Sequence, residues 1–162
     1  MSEKTQIRAV GVEPSVADLL AGSYLYSTCA EVLEVSRFVE LDDFDEPAKT
    51  VVASIVALAR RKVPPSPQLV LDELKRCGKL TRSHGVWLAS AATSGACSTA
   101  ARHYAAAVVA QSFRRQTESS GTALIAASSA ASEVEVAALA ETALARIRNI
   151  ADRLTELRGD AE

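Results

Sequence analysis

Every proline in this chain lies at or before residue 67 of 162. Proline lacks the N–H that a helix interior needs and collides with the preceding turn, so its absence lets the second half run as unbroken helix. That half is also rich in alanine, the best helix former, which makes up about a fifth of the whole chain. Apolar residues reach 48% but aromatics only 4%, so a core has to be built from small and aliphatic side chains. An all-α protein follows.

The same composition removes several classes. Residues 1–10 are polar and lack the apolar stretch of a secretory signal. No apolar run reaches the roughly eighteen residues that span a bilayer, so no membrane association is expected. Cys29, Cys77 and Cys97 are odd in number and widely spaced, which speaks against a disulfide framework and for a reducing, cytoplasmic setting. A net charge of −2 and a pI near 5.8 give no global reason to bind nucleic acid.

Along the chain, residues 1–12 read as a flexible polar arm. Pro14 suits a first helical turn, and Val16, Leu19 and Leu20 begin a first helix at helical spacing. A second helix is expected from Ala30 to about Val39. Pro47 opens a third, with Asp45 as its cap and a stripe of Val51, Val52, Ile55, Val56 and Leu58. Arg60, Arg61 and Lys62 load its negative end, and Pro64 and Pro65 stop it. Ser66 and Pro67 restart a helix as cap and first residue, and Gly78 closes it in a left-handed conformation. A short helix around Val86–Leu88 ends near Gly95.

Residues 13–95 thus form a globular helical head. A long antiparallel helical hairpin is expected over 98–157, followed by a tail at 158–162. Gly121 is a candidate bend. Ser132 with Glu135 forms a capping box that starts the last helix. Ala140, Ala143, Ile147, Ile150, Leu154 and Leu157 recur at alternating three- and four-residue intervals, as in a coiled-coil seam. Such a hairpin exposes apolar surface, which predicts a homodimer or higher oligomer. The seam residues assigned to that role are Phe113, Leu124, Ile125, Ala143, Ile147, Ile150 and Leu154, and a charge at Ile147 or Ile150 should dissociate the oligomer.

Catalytic chemistry is missing from the pattern. His84 and His103 have no Cys or carboxylate at ligand spacing, so no metal and no cofactor is expected. Neither a phosphate-binding G-x-x-x-x-G-K-[ST] loop nor a G-x-S-x-G elbow occurs. Asp42-Asp43 and Asp45-Glu46 read as capping and solvated pairs. The basic clusters Arg60–Lys62, Lys75–Arg82 and Arg114-Arg115 lack interleaved aromatics, so direct nucleic-acid binding is expected to be weak or absent.

A family resemblance lies in the middle of the chain. The run from Asp43, D-F-D-E-P-A-K-T-V-V-A-S-I-V-A-L, resembles the segment D-F-x-x-P-A-H-x-x-I-F-x-x-I-x-x-L of the N-terminal domain of DnaB-type replicative helicases. Pro64 is similar to the proline of that family's G-x-P-I-D loop, Val70 and Leu74 to its V-x-x-x-L helix, and Gly78 and Leu80 to its G-x-L turn. His84-Gly85-Val86-Trp87-Leu88 resembles G-G-x-Y-L, and Tyr104-Ala105 with Val108 resembles Y-A-x-x-V. Upstream, Leu19–Gly22 and Glu31–Glu34 resemble its V-L-G and E-V-L-E elements. The resemblance covers Glu13 to Arg153. It departs at Ser66, His84 and Asp45, in a longer second helix, and in a hairpin thinned to Ala and Ser.

The resemblance implies a non-catalytic collar domain that dimerises through its hairpin and docks primase, with the ATPase motor elsewhere. A full-length replicative helicase is a second implied partner. As a fragment, the chain would belong to an ATP-dependent DNA helicase; Met1 and a polar tail point instead to a stand-alone homologue. A small helical DNA-binding or regulatory protein is the alternative.

Overall fold

In the computed structural model, residues 13–159 are described. The expected arm at 1–12 and the end of the tail, 160–162, lie outside them. All regular structure among the described residues is helical: α1 (Val16–Leu25), α2 (Cys29–Ser36), α3 (Ala48–Arg60), α4 (Pro67–Arg76), α5 (Arg82–Ala92), α6 (Ala101–Ala130) and α7 (Glu133–Gly159), with 3₁₀ turns at Leu41–Asp43 and Ser98–Ala100.

Helices α1, α2, α4, α5 and α7 start where a short polar side chain satisfies one of the first unpaired amides. At α1 the Ser15 hydroxyl accepts the Asp18 N–H at 3.1 Å, while the Asp18 carboxylate accepts the Ser15 N–H at 2.8 Å. Thr28 and Glu31 form the same reciprocal box at α2, which sets that helix one residue earlier than the apolar pattern alone suggests. It ends at Ser36, short of the expected Val39. Ser66 caps α4 with Pro67 in its first turn, and Gly78 follows at φ 66°. Thr81 and His84 cap α5, which is longer than the short helix expected there.

Asp45 does not cap α3. Its carboxylate instead meets Arg115 of α6 at 3.0 Å. The first turn of α3 is served by its main-chain carbonyl, which accepts the Lys49 N–H at 3.0 Å. A distant cation outcompetes the local amide for the carboxylate, since charge-assisted bonds are the stronger.

α1 is the central helix. Leu20, Ala21 and Tyr24 are fully enclosed, and α1 packs against α3, α5 and α6. At Gly22 an added Cβ would lie 2.5 Å from the Ala91 carbonyl oxygen and 2.5 Å from Ser94 Oγ. Glycine is required here because α5 approaches too closely for any side chain. The Tyr26 hydroxyl ties the same two helices by donating to the Ala92 carbonyl at 2.9 Å.

Val51, Val52, Ile55 and Leu58 of α3 and Val70 and Leu74 of α4 fill the centre. The core continues past residue 95, because Ala101, Ala105, Val108 and Val109 of α6 and Ile150 and Leu157 of α7 belong to it. The first part of α6 and the end of α7 are therefore built into the head. The remainder of the two helices forms a projecting pair.

Candidate interaction surface

The projecting pair is closed by Ser132. Its N–H donates to Glu135 Oε2 at 2.9 Å, and its hydroxyl accepts the Glu135 N–H at 3.3 Å. The bonds that the Ser132 N–H and then its hydroxyl donate to the carboxylate hold Glu135 below the usual carboxylate range. α6 runs through Gly121 without a break. Nothing lies within 4 Å of the Cβ position there, so no neighbouring segment packs against this glycine.

The seven expected seam residues divide by burial. Ala143 and Ile150 are buried within the single chain. Phe113, Leu124, Ile147 and Leu154 are half-buried, and Phe113 and Leu154 pack against the core. Ile125 stands apart at 75% exposure. Beyond Gly121, α6 has no buried residue, so here two helices rest on each other with no third layer.

Within this pair, Gln116 Nε2 donates to the buried Ser120 hydroxyl at 3.1 Å. The contact, made within α6, satisfies the one buried serine hydroxyl of this stretch among the described residues beyond Gln116. On the outside, Val134 is 80% exposed and Leu144 48%. Neither stood out in the sequence, because both fall off the alternating three–four spacing of the seam. Being off that spacing is itself the signal for an outward apolar residue.

Three arginines fasten the pair to the head. Arg153 of α7 donates through Nη1 to Asp43 Oδ2 at 2.5 Å and to the Phe38 carbonyl at 3.0 Å, and through Nη2 to Asp43 Oδ1 at 3.2 Å. The Asp43 side chain is only 2% exposed, and it also accepts the Glu40 N–H at 2.8 Å. Arg115 reaches Asp45 and the Asp42 carbonyl. Arg102 donates to the Leu157 and Glu156 carbonyls and lies 5.3 Å from the centre of the Phe38 ring. Asp43, expected only to cap and be solvated, is thus the buried anchor of the fastening. Beside it lies an open polar cavity of about 490 Å³, bordered by Gln116, Arg146, Asn149 and Arg153.

The basic clusters are partly spent. Arg61 Nη2 lies 2.6 Å and Arg76 Nη2 2.7 Å from the two oxygens of Glu73. The bond from Arg76, then that from Arg61, lowers the Glu73 carboxyl to about 2. These guanidiniums are committed to an internal triad rather than presented to phosphates. No group of three or more His, Cys, Asp or Glu is placed to hold a metal ion among the described residues. No described helix is long and apolar enough to cross a membrane.

No family model matches the chain, and no curated protein matches it. Among solved structures it is similar to the crystal structure of the N-terminal domain of DnaB helicase from Mycobacterium tuberculosis. The two are 27% identical, the match covers 85% of this chain and 99% of that chain, and the TM-score is 0.68. The resemblance carried by the D-F, V-x-x-x-L and Y-A-x-x-V segments therefore extends to the fold, over nearly the whole of that domain.

Proposed function

We propose that this chain acts without catalysis, in the cytoplasm, as an oligomerisation and docking module of DNA replication. It pairs with a second copy of itself through the outward face of the α6–α7 pair, and the assembled surface receives primase or a full-length replicative helicase. The observation that carries this reading is the likeness to a replicative-helicase N-terminal domain over 99% of that domain's length. The two-layer projection with Ile125, Val134 and Leu144 turned to solvent supports it, since exposed apolar side chains on a polar surface mark association sites. Phe113, Leu124, Ala143, Ile147, Ile150 and Leu154 hold the two helices in register and so shape the face that pairs. Direct nucleic-acid binding is weak or absent in this reading.

Because Ile150 is buried inside the chain, a charge there acts on folding as well as on association. Ile125→Asp combined with Val134→Asp is the cleaner test. Light scattering at tens of micromolar should find the wild type dimeric or larger, and the double variant monomeric with unchanged helical circular dichroism. A monomeric wild type overturns the pairing. A pull-down with purified primase and replicative helicase that retains neither overturns the docking.

A further inference from the structure

Helices α4 and α5 pack side by side and leave an open groove of about 180 Å³ between them. Its walls are mostly apolar: Pro67 and Leu71 of α4, and Gly85, Leu88 and Ala89 of α5. Gly85 makes a notch in it, because nothing lies within 4 Å of its Cβ position. Beside the notch Val86 stands 64% exposed.

One end of the groove is ringed by cations. Residues three and four apart share a helix face, so Lys75 lies one turn beyond Leu71 and Arg82 one turn before Gly85. Lys79 sits in the turn that joins the two helices. All three are exposed, and their side chains make no hydrogen bond or ion pair among the described residues. The acids of α4, α5 and their connection are Asp72 and Glu73, and Glu73 is held by Arg61 and Arg76. Three unpaired cations are thus set against one carboxylate, Asp72.

That combination selects an occupant. Packed helices lie roughly 8–10 Å apart, so cations on α4 and on α5 are too widely set for a single carboxylate, and a simple anion or a fatty acid leaves most of the charge unmet. Nucleic acid brings the charge but no aliphatic group for the notch, and no described aromatic side chain lines the groove to stack a base. A helix with one apolar face and several carboxylates meets both parts, since its acids recur along its length at helical spacing. We propose that the α4–α5 groove is a docking site for an acidic amphipathic helix of a partner protein. An apolar side chain of that helix seats in the notch at Gly85, and its carboxylates one turn along pair with Lys75, Lys79 and Arg82. The proposal rests on the docking half of the reading above and not on the pairing of α6 and α7, because the groove belongs to the head alone.

The probe is the peptide acetyl-AEELAELFEEAAE-amide, titrated into the full chain at low salt and followed by methyl NMR. It should saturate with a dissociation constant of about 0.1 mM or tighter, with shifts centred on the methyls of Leu71, Val86 and Leu88. The same peptide with glutamine for every glutamate should bind about ten-fold more weakly. Gly85→Leu fills the notch from within, in open space and at a helical position where leucine is favoured over glycine. Its melting temperature should not fall, and the acidic peptide should bind it about ten-fold more weakly. Replacing Lys75, Lys79 and Arg82 together by glutamine, all on the surface, should cost a similar factor. Lack of saturation, shifts centred elsewhere, undiminished affinity in Gly85→Leu, or equally tight binding of dodecathymidylate in the same groove overturns the proposal. The pull-down with primase and replicative helicase tests the underlying reading separately, since it scores capture and not the place of contact.

Discussion

At the scale of the residue, Gly22 shows how one atom's absence sets a helix–helix distance. Its Cβ position is occupied in effect by the Ala91 carbonyl and by Ser94 Oγ. The carbonyl belongs to the backbone and cannot rotate away. Gly22→Ala forces α1 and α5 apart, at a cost of about 1–3 kcal/mol, and thermal denaturation should fall by roughly 3–10 °C. A melting temperature equal to the wild type would show that the two helices separate without penalty. This glycine was legible in the sequence only as part of the Leu19–Gly22 match. Its physical reason was not, because Ala91 and Ser94 lie about seventy residues on and nothing local announces them.

At the scale of the element, α3 and α4 are joined by Glu73, whose carboxylate stands between Arg61 and Arg76. Its folded value of about 2 lies below the ordinary 4.5. A carboxyl depressed in the folded state contributes stability that is present above the unfolded value and lost as the pH falls through the folded one. The wild type should therefore lose stability between about pH 4.5 and pH 2, and Glu73→Gln should flatten the dependence of the urea midpoint across that window. A curve as steep in Glu73→Gln as in the wild type would assign the acid sensitivity to other carboxylates.

Helix starts were the most readable elements. Ser66 and Ser132 act within three residues of themselves, so sequence spacing contains the whole interaction. Ser15 does the same at α1, where the sequence pattern instead puts Pro14 in the first turn. Asp45 was misread for the opposite reason. A local signal predicted a cap, and Arg115, which lies far along the chain, took the carboxylate instead.

At the scale of the whole molecule, the decisive contact is between the projecting helices and the head, and it was the least legible. Asp43 and Arg153 are separated by 110 positions. In the sequence the first is one acidic residue in a turn, and the second is one of several arginines on an exposed-looking helix. In the fold they make a bidentate pair with side chains 2% and 12% exposed. Arg153→Met leaves the Asp43 carboxylate buried without its cation, an arrangement that costs about 3–5 kcal/mol. Adding Asp43→Leu should restore most of that loss, because the unpaired charge is then gone. Chemical denaturation of both variants measures this, and a double variant no more stable than Arg153→Met would mean that Arg153 acts mainly through Phe38 or Glu40.

The length of α6 has a mechanical meaning. At 30 residues it is a rod of about 45 Å, gripped over its first half by the core and pinned by Arg115 near the point where it emerges. Such a rod is a lever with its fulcrum at the head. A tilt of about five degrees at that fulcrum sweeps the far end through roughly 2 Å over the ~25 Å that protrude. The converse also holds: a load applied at Ile125 is delivered as torque on Val108 and Val109, deep among the helices that surround α1.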